Sequence, residues 1–155
     1  MALAMRVVSW AGVEGMEVVR AGRETTDFSR GLHCRPMHGL HLTADLSGCD
    51  PALPAMTDPA ALRALCVAEV QGAGLQAVGT LFHRFEAAGV TGMVLLAESH
   101  VAVHTWPELG AVTLDVYVCN FGADNTVAAE KLIAALTGGF APSTARTHRL
   151  ERGRS

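Results

Sequence analysis

Residues 82–119 read FHRFEAAGVTGMVLLAESHVAVHTWPELGAVTLDVYVC, and this stretch decides the fold. Two parts of it, residues 100–106 and residues 111–119, alternate between apolar and polar side chains, the pattern of half-buried strands. The segments GVTG at 89–92 and PELG at 107–110 are typical of turns. Because the connections between the predicted strands are this short, the sequence predicts mostly antiparallel pairing.

The flanking sequence supplies a further strand and two helices. Residues 40–47 also alternate and predict a strand. Thr57-Asp58-Pro59 marks a helix start, and that helix is predicted to end at Gly72, while a second one runs from Asn125 or Thr126 to Gly138-Gly139. Two helices can cover only one face of such a sheet. We therefore expect an α+β fold, a two-layer sandwich of sheet and helices, and a homodimer of four layers in which the second face is covered.

The domain organisation follows from where this patterning stops. Residues 38–139 form a single predicted domain, a size that fits the 155-residue chain. Residues 1–37 are weakly patterned and are interpreted as an N-terminal extension. Residues 140–155 carry four arginines and one glutamate, and we expect a basic flexible tail there.

Composition excludes several classes of protein. Hydrophobic residues make up 50% of the chain, which excludes a disordered protein. There is no apolar run of about 18 residues and no signal peptide, so we expect a soluble cytoplasmic protein that does not contact a membrane. The net charge is −3, and without the basic tail 14 acidic residues face 8 basic ones. Nucleic acid is therefore an unfavourable partner, whereas a small cationic ligand is a favourable one.

Two patterns of reactive side chains point only weakly to chemistry. A set of potential zinc ligands is crowded near the predicted first strand, but its spacing matches no usual metal motif, so no metal is predicted. Ser99 has His100 beside it but lacks a GxSxG elbow, which disfavours a hydrolase. The potential metal ligands are His33, Cys34, His38, His41 and Cys49.

A stronger signal comes from four motifs that occur in order. Together they resemble the bacterial and archaeal S-adenosylmethionine decarboxylase proenzymes, which are pyruvoyl-dependent and cleave themselves. Cys119 lies at the family's distance from these motifs, and GLHLTADLSGC at 39–49 is similar to the family's N-terminal strand. The motifs are FHRF at 82–85, GVTG at 89–92, AESH at 97–100 and HTWPE at 104–108.

The resemblance implies a cofactor made from the chain itself. Cleavage between Glu98 and Ser99 would convert Ser99 into a pyruvoyl group, whose ketone forms a Schiff base with the substrate amine. His104 matches the residue that accepts a proton during processing, and Thr91 lies where a supporting hydroxyl is expected. Cys119 matches the residue that returns a proton to the substrate after CO₂ has left.

The resemblance also implies a substrate and a product. Phe85 matches an aromatic residue that stacks on adenine, and Glu108 matches a carboxylate that binds ribose. The expected product is the aminopropyl donor for spermidine and polyamine synthesis. The two fragments, residues 1–98 and 99–155, are roughly 10 and 6 kDa by residue share, each too small to fold alone, so they should stay associated.

Two alternatives stay open at this point. Leu109 and Asn120-Phe121 differ from the common family pattern near the substrate side. These differences leave room for a pyruvoyl-dependent decarboxylase of arginine or ornithine. The other alternative is a non-enzymatic, unprocessed relative that binds a ligand or regulates a partner.

Overall fold

A computed structural model describes residues 38–86, 88–97, 99–120 and 123–153. The predicted N-terminal extension, residues 1–37, lies outside the described residues. The elements run in the order strand, two helices, four strands, helix and strand. They are β1 (Gly39–Ser47), α1 (Pro54–Thr57), α2 (Pro59–Gly72), β2 (Ala77–Arg84), β3 (Val90–Leu96), β4 (Ser99–Trp106), β5 (Ala111–Cys119), α3 (Thr126–Phe140) and β6 (Thr144–Arg152).

The strands form one antiparallel sheet in the order β2-β3-β4-β5-β1-β6. Helices α2 and α3 pack on this sheet, and together they make the predicted α+β architecture. The predicted alternation in β5 is confirmed, since every second residue is buried: Val112, Leu114, Val116 and Val118. The other face of the sheet carries the intervening residues, which are half-buried or exposed.

The first long helix begins one residue later than the sequence indicated. Asp58, not Thr57, is the N-cap of α2, and its carboxylate accepts a hydrogen bond of 2.9 Å from the Ala60 amide. Pro59 follows as the first helical residue, where its missing amide proton costs nothing. Thr57 instead ends the short helix α1, for which the sequence shows no helical pattern of its own. Helix α3 likewise runs on past Gly138-Gly139 to Phe140.

The expectation of a flexible tail over residues 140–155 is wrong for Thr144–Arg152. These nine residues form the edge strand β6, paired along its whole length with β1. Every residue of β6 is exposed, so the strand has no buried face and shows no hydrophobic alternation. Its backbone pairing holds it, together with an ion pair between Arg149 and Glu130 of α3. Within the described ranges no helix is long and apolar enough to cross a membrane.

Candidate active site

Ser99 is the first residue of β4, where the chain enters the centre of the sheet. It pairs with Leu96 of β3 on one side and Val118 of β5 on the other. Its φ of 153° is a conformation that residues other than glycine rarely adopt. Glu98 lies outside the described residues. The structure thus places a half-buried hydroxyl on a strained backbone at a strand entrance.

Cys119 lies beside Ser99 across the sheet. Because Ser99 is opposite Val118, the next residue of β5 is a diagonal neighbour, at a Cα separation of about 6 Å for ordinary strand spacing and rise. The end of β5 is held in place, since Asn125 donates a side-chain hydrogen bond of 2.9 Å to the Cys119 carbonyl. The Cys119 side chain is half-buried. Register therefore brings the backbones of the predicted cofactor precursor and the predicted proton donor together, while Val118 opposite Ser99 is buried on the helix side of the sheet and Cys119 lies on the other face.

His104 forms a second group with Thr91. The two residues are cross-strand partners on β4 and β3, and the Thr91 hydroxyl lies 2.8 Å from the His104 Nδ1. The ring of Trp106 lies next to the imidazole, with the two centroids 6.0 Å apart. Both His104 and Thr91 are half-buried. The two residues that the resemblance assigns to processing are therefore in hydrogen-bonding contact.

The predicted substrate-binding residues lie at the His104 end of β4. Phe85 follows β2, where its amide donates a 2.8 Å hydrogen bond to the Gly89 carbonyl, and its ring is 41% exposed. Glu108 is exposed in the short 3-10 turn Pro107–Leu109 that joins β4 to β5. Ser99 is at the other end of β4.

One chain therefore does not bring all the predicted site residues together. His104 follows Ser99 by five residue steps of extended strand, a distance of about 16 Å along β4. No proton can pass directly over that distance. The pocket beside Ser99, lined in part by Leu96, Ala97 and Val118, has a volume of about 160 Å³. Ligand sites usually enclose about 300–1,000 Å³, so this pocket is small for a nucleoside substrate.

Tyr117 was not singled out from the sequence. Its hydroxyl lies 3.5 Å from the Cys119 Sγ on the same face of β5. The hydrogen bond with Cys119, burial and the nearby Cys119 charge raise the pKa of the Tyr117 phenol, and the cation of Arg152 partly opposes them. The two-residue spacing in DVYVC is the signal that could have identified it, because residues two apart in a strand share a face.

Two further residues with reactive side chains, Cys66 and His41, lie in the core and beside a neighbouring carboxylate, respectively. Cys66 is fully buried in the core, and burial followed by the charge of Glu69 raises the pKa of its thiol to about 12. His41, one of the potential metal ligands, instead lies 3.1 Å from Asp115 through Nε2. In the described part of the chain there is no group of three or more potential metal ligands. His33 and Cys34 lie outside it.

Comparisons with known proteins agree on one family. The family described as S-adenosylmethionine decarboxylase matches residues 40–153. An S-adenosylmethionine decarboxylase proenzyme of Archaeoglobus fulgidus is 38% identical over 115 residues, which are 74% of this chain and 97% of that protein. The corresponding proenzyme of Pyrococcus furiosus is 36% identical over 115 residues, 74% of this chain and 78% of its own. The crystal structure of the adenosylmethionine decarboxylase from Aquifex aeolicus superposes with a TM-score of 0.69 at 33% identity, covering 78% of this chain and 95% of that one.

Proposed function

This chain belongs to the S-adenosylmethionine decarboxylase family, and from that premise we propose that it cleaves itself between Glu98 and Ser99 and then decarboxylates S-adenosylmethionine. The single observation that carries the proposal is the register of β4 and β5, which sets Ser99 beside Cys119. The relatives reported above share the S-adenosylmethionine decarboxylase name, so arginine and ornithine have no support from them as substrates.

Self-cleavage uses the Ser99 hydroxyl. Its Oγ attacks the Glu98 carbonyl carbon, the C–N bond breaks, and the backbone amide becomes an ester with a free Ser99 amine. Removal of the Ser99 α-proton then expels the Glu98 carboxylate. Water converts the remaining dehydroalanine to a pyruvoyl group and releases ammonia. The φ of 153° at Ser99 supports this cleavage site, because strain in the backbone lowers the free energy needed to convert the amide to the ester.

The pyruvoyl group, once formed, supplies a conjugated carbonyl that takes up the electron pair released with CO₂. The chain offers Ser99 as its precursor, at a strand entrance beside a thiol. Cys119 returns a proton from its Sγ to the substrate α-carbon. The half-buried thiol lies one strand away from residue 99, and cleavage makes that residue a chain terminus, which frees the pyruvoyl group from the strand alternation that separates the two side chains.

His104 accepts the Ser99 α-proton, and we place this step between two copies of the chain. The 16 Å separation within one chain, about five residues of strand, excludes direct transfer. The uncovered sheet face displays apolar side chains, with Leu81 76%, Met93 44% and Leu95 50% exposed. A homodimer that buries this face covers these side chains and allows His104 and Thr91 of one copy to approach Ser99 of the other. The Thr91 hydroxyl holds the imidazole at Nδ1.

Substrate recognition is assigned to the same end of the sheet as His104. The exposed ring of Phe85 is available to stack on adenine, and the exposed carboxylate of Glu108 is available to bind ribose hydroxyls. The sulfonium cation suits aromatic surfaces and an acidic protein body. The decarboxylated product then supplies an aminopropyl group to polyamine synthesis.

The test combines a denaturing gel with a substrate panel. Purified chain should show two fragments, residues 1–98 and 99–155, whereas Ser99→Ala should show one intact chain. Release of CO₂ should occur from carboxyl-labelled S-adenosylmethionine and not from arginine or ornithine. An uncleaved wild-type chain would overturn the self-cleavage, and release of CO₂ from either of the other amino acids would overturn the substrate assignment.

A further inference from the structure

The ring of Tyr117 lies where three strands meet on the face of the sheet opposite the helices. It precedes Cys119 by two residues on β5, and its cross-strand neighbours are His41 on β1 and His100 on β4. The imidazole centroids lie 5.7 Å and 5.8 Å from the phenol centroid. The phenol oxygen meets the Cys119 Sγ at 3.5 Å. The thiol therefore has a fixed side-chain partner.

Gly39 makes this position of the ring possible. It pairs with Cys119 on β5 and with Arg152 on β6, so it lies between the two. A Cβ at residue 39 would come within 2.7 Å of the Tyr117 Cε2 and hydroxyl oxygen, which is closer than real Cβ contacts. The absence of a side chain lets the ring lie across β1 toward the end of β5.

Arg152 completes the arrangement from the edge strand. Its guanidinium carbon lies 5.0 Å from the centroid of the Tyr117 ring, within the range of a cation–π contact. The edge strand β6 therefore also contributes to this neighbourhood, because its pairing with β1 places Arg152 over Tyr117, the residue that contacts Cys119.

We propose that Tyr117 and Arg152 are positioning residues that hold the Cys119 thiol in place to return its proton to the substrate carbon. This inference rests on the proposed function for the role of Cys119. Tyr117 holds the thiol through its oxygen, and Arg152 holds the ring. A proton donor at the end of a strand needs such support, since misplacement of a catalytic group by about 1 Å can cost about 10²-fold in rate.

The contact is tested without turnover in the uncleavable Ser99→Ala chain. Tyr117 is the only tyrosine of the sequence, so phenolate absorbance reports its titration alone. Because Cys119 raises the pKa of this phenol and Arg152 lowers it, adding Cys119→Ala should lower the pKa and adding Arg152→Gln should raise it further. Arg146→Gln is the matched control, an arginine on the same strand and face, and should leave the titration unchanged. Identical titrations in all the chains would overturn the proposal.

The positioning role is tested in the cleaved enzyme. A proton delivered to the pyruvoyl carbon instead of the substrate carbon leaves the substrate nitrogen on residue 99, and with water as co-reactant that residue becomes alanine while an aldehyde departs. Tyr117→Phe keeps the ring and removes the oxygen. The number of turnovers per inactivated chain should fall about three- to tenfold, the effect of one lost hydrogen bond. Arg152→Gln should change it in the same direction, and Arg152→Lys should restore it.

Mass spectrometry of the fragment 99–155 counts the chains that end in alanine. If the wild type is active and the number of turnovers per inactivated chain is unchanged in both Tyr117→Phe and Arg152→Gln, the contact has no positioning role and the proposal is overturned. Failure of the wild type to release CO₂ would instead overturn the proposed function. The tyrosine titration would still test the contacts of Tyr117 with Cys119 and Arg152.

Discussion

At the residue scale, location assigns different tasks to side chains with similar chemistry. Cys66 and Cys119 are both thiols, yet Cys66 is fully buried on the core side of α2, and that burial is the main cause that raises its pKa to about 12. Such a thiol stays protonated and cannot reach a substrate. Cys119 is half-buried at a strand end and touches a phenol. Of these two thiols, Cys119 is the one with the access that the proposed proton transfer requires.

Cys119→Ala should therefore separate processing from turnover. Cleavage at Ser99 does not need the thiol, so the variant should still give two fragments. Its decarboxylation rate should fall by about 10²–10⁴-fold, the usual contribution of a general acid. Fragment masses together with a CO₂ time course provide the measurement, and Cys49→Ala, which removes a buried thiol elsewhere, is the control. Full activity in cleaved Cys119→Ala would show that the thiol only packs.

At the element scale, one buried hydroxyl ties the small helix α1 to the sheet. Thr105 is fully buried in β4, and its Oγ1 donates to the Met56 carbonyl and accepts from the Val90 amide, both at 2.8 Å. Its side chain therefore joins α1, β3 and β4 at the point where the chain approaches the His104 pair. The motif HTWPE thus contains a structural residue, Thr105, beside the proposed proton acceptor His104.

Thr105→Val should destabilise the fold with little change in shape. It leaves the Val90 amide and the Met56 carbonyl without this partner, which typically costs about 1–3 kcal/mol in the free energy of unfolding. Urea denaturation of the uncleavable Ser99→Ala chain measures the loss, since cleavage would complicate the transition. Thr147→Val on the exposed strand β6 is the control and should change the stability much less. Equal stability of the two variants would contradict this role for Thr105.

At the scale of the whole molecule, the proposed site is divided between the ends of β4. Ser99 and Cys119 lie at one end, and His104, Thr91 and Glu108 lie at the other or near it. The sheet face that carries His104 is not covered by the helices. In the proposed homodimer, a second copy would cover this face, complete the site and bury the exposed apolar surface.

Complementation tests this division directly. Ser99→Ala and His104→Ala chains, each uncleaved alone, are co-expressed with different tags and purified as a mixed dimer. The Ser99→Ala copy still carries His104, so it should support cleavage of the His104→Ala copy. Fragments of the His104→Ala chain should appear by mass spectrometry, and light scattering should give a dimer mass. A mixed dimer that stays intact would contradict a site shared between copies.

Much of this protein was determined by local sequence alone. Alternation in residues 111–119 predicts a strand with one buried face because side chains of a strand point to opposite sides, and the structure confirms it. The cross-strand partnership of Thr91 and His104 is local as well, since a short turn joins their strands. The family is recognisable from motifs whose spacing is itself a sequence property.

The tertiary structure decided what depends on pairing over long separations. The strand β6 has no apolar period, because both its faces are exposed, and it exists through its register with β1 about a hundred residues earlier. The neighbourhood of Tyr117 joins β5, β1 and β6, which no local pattern specifies. The distance between Ser99 and His104 also follows from strand geometry, because the five residue steps between them are extended and cover about 16 Å.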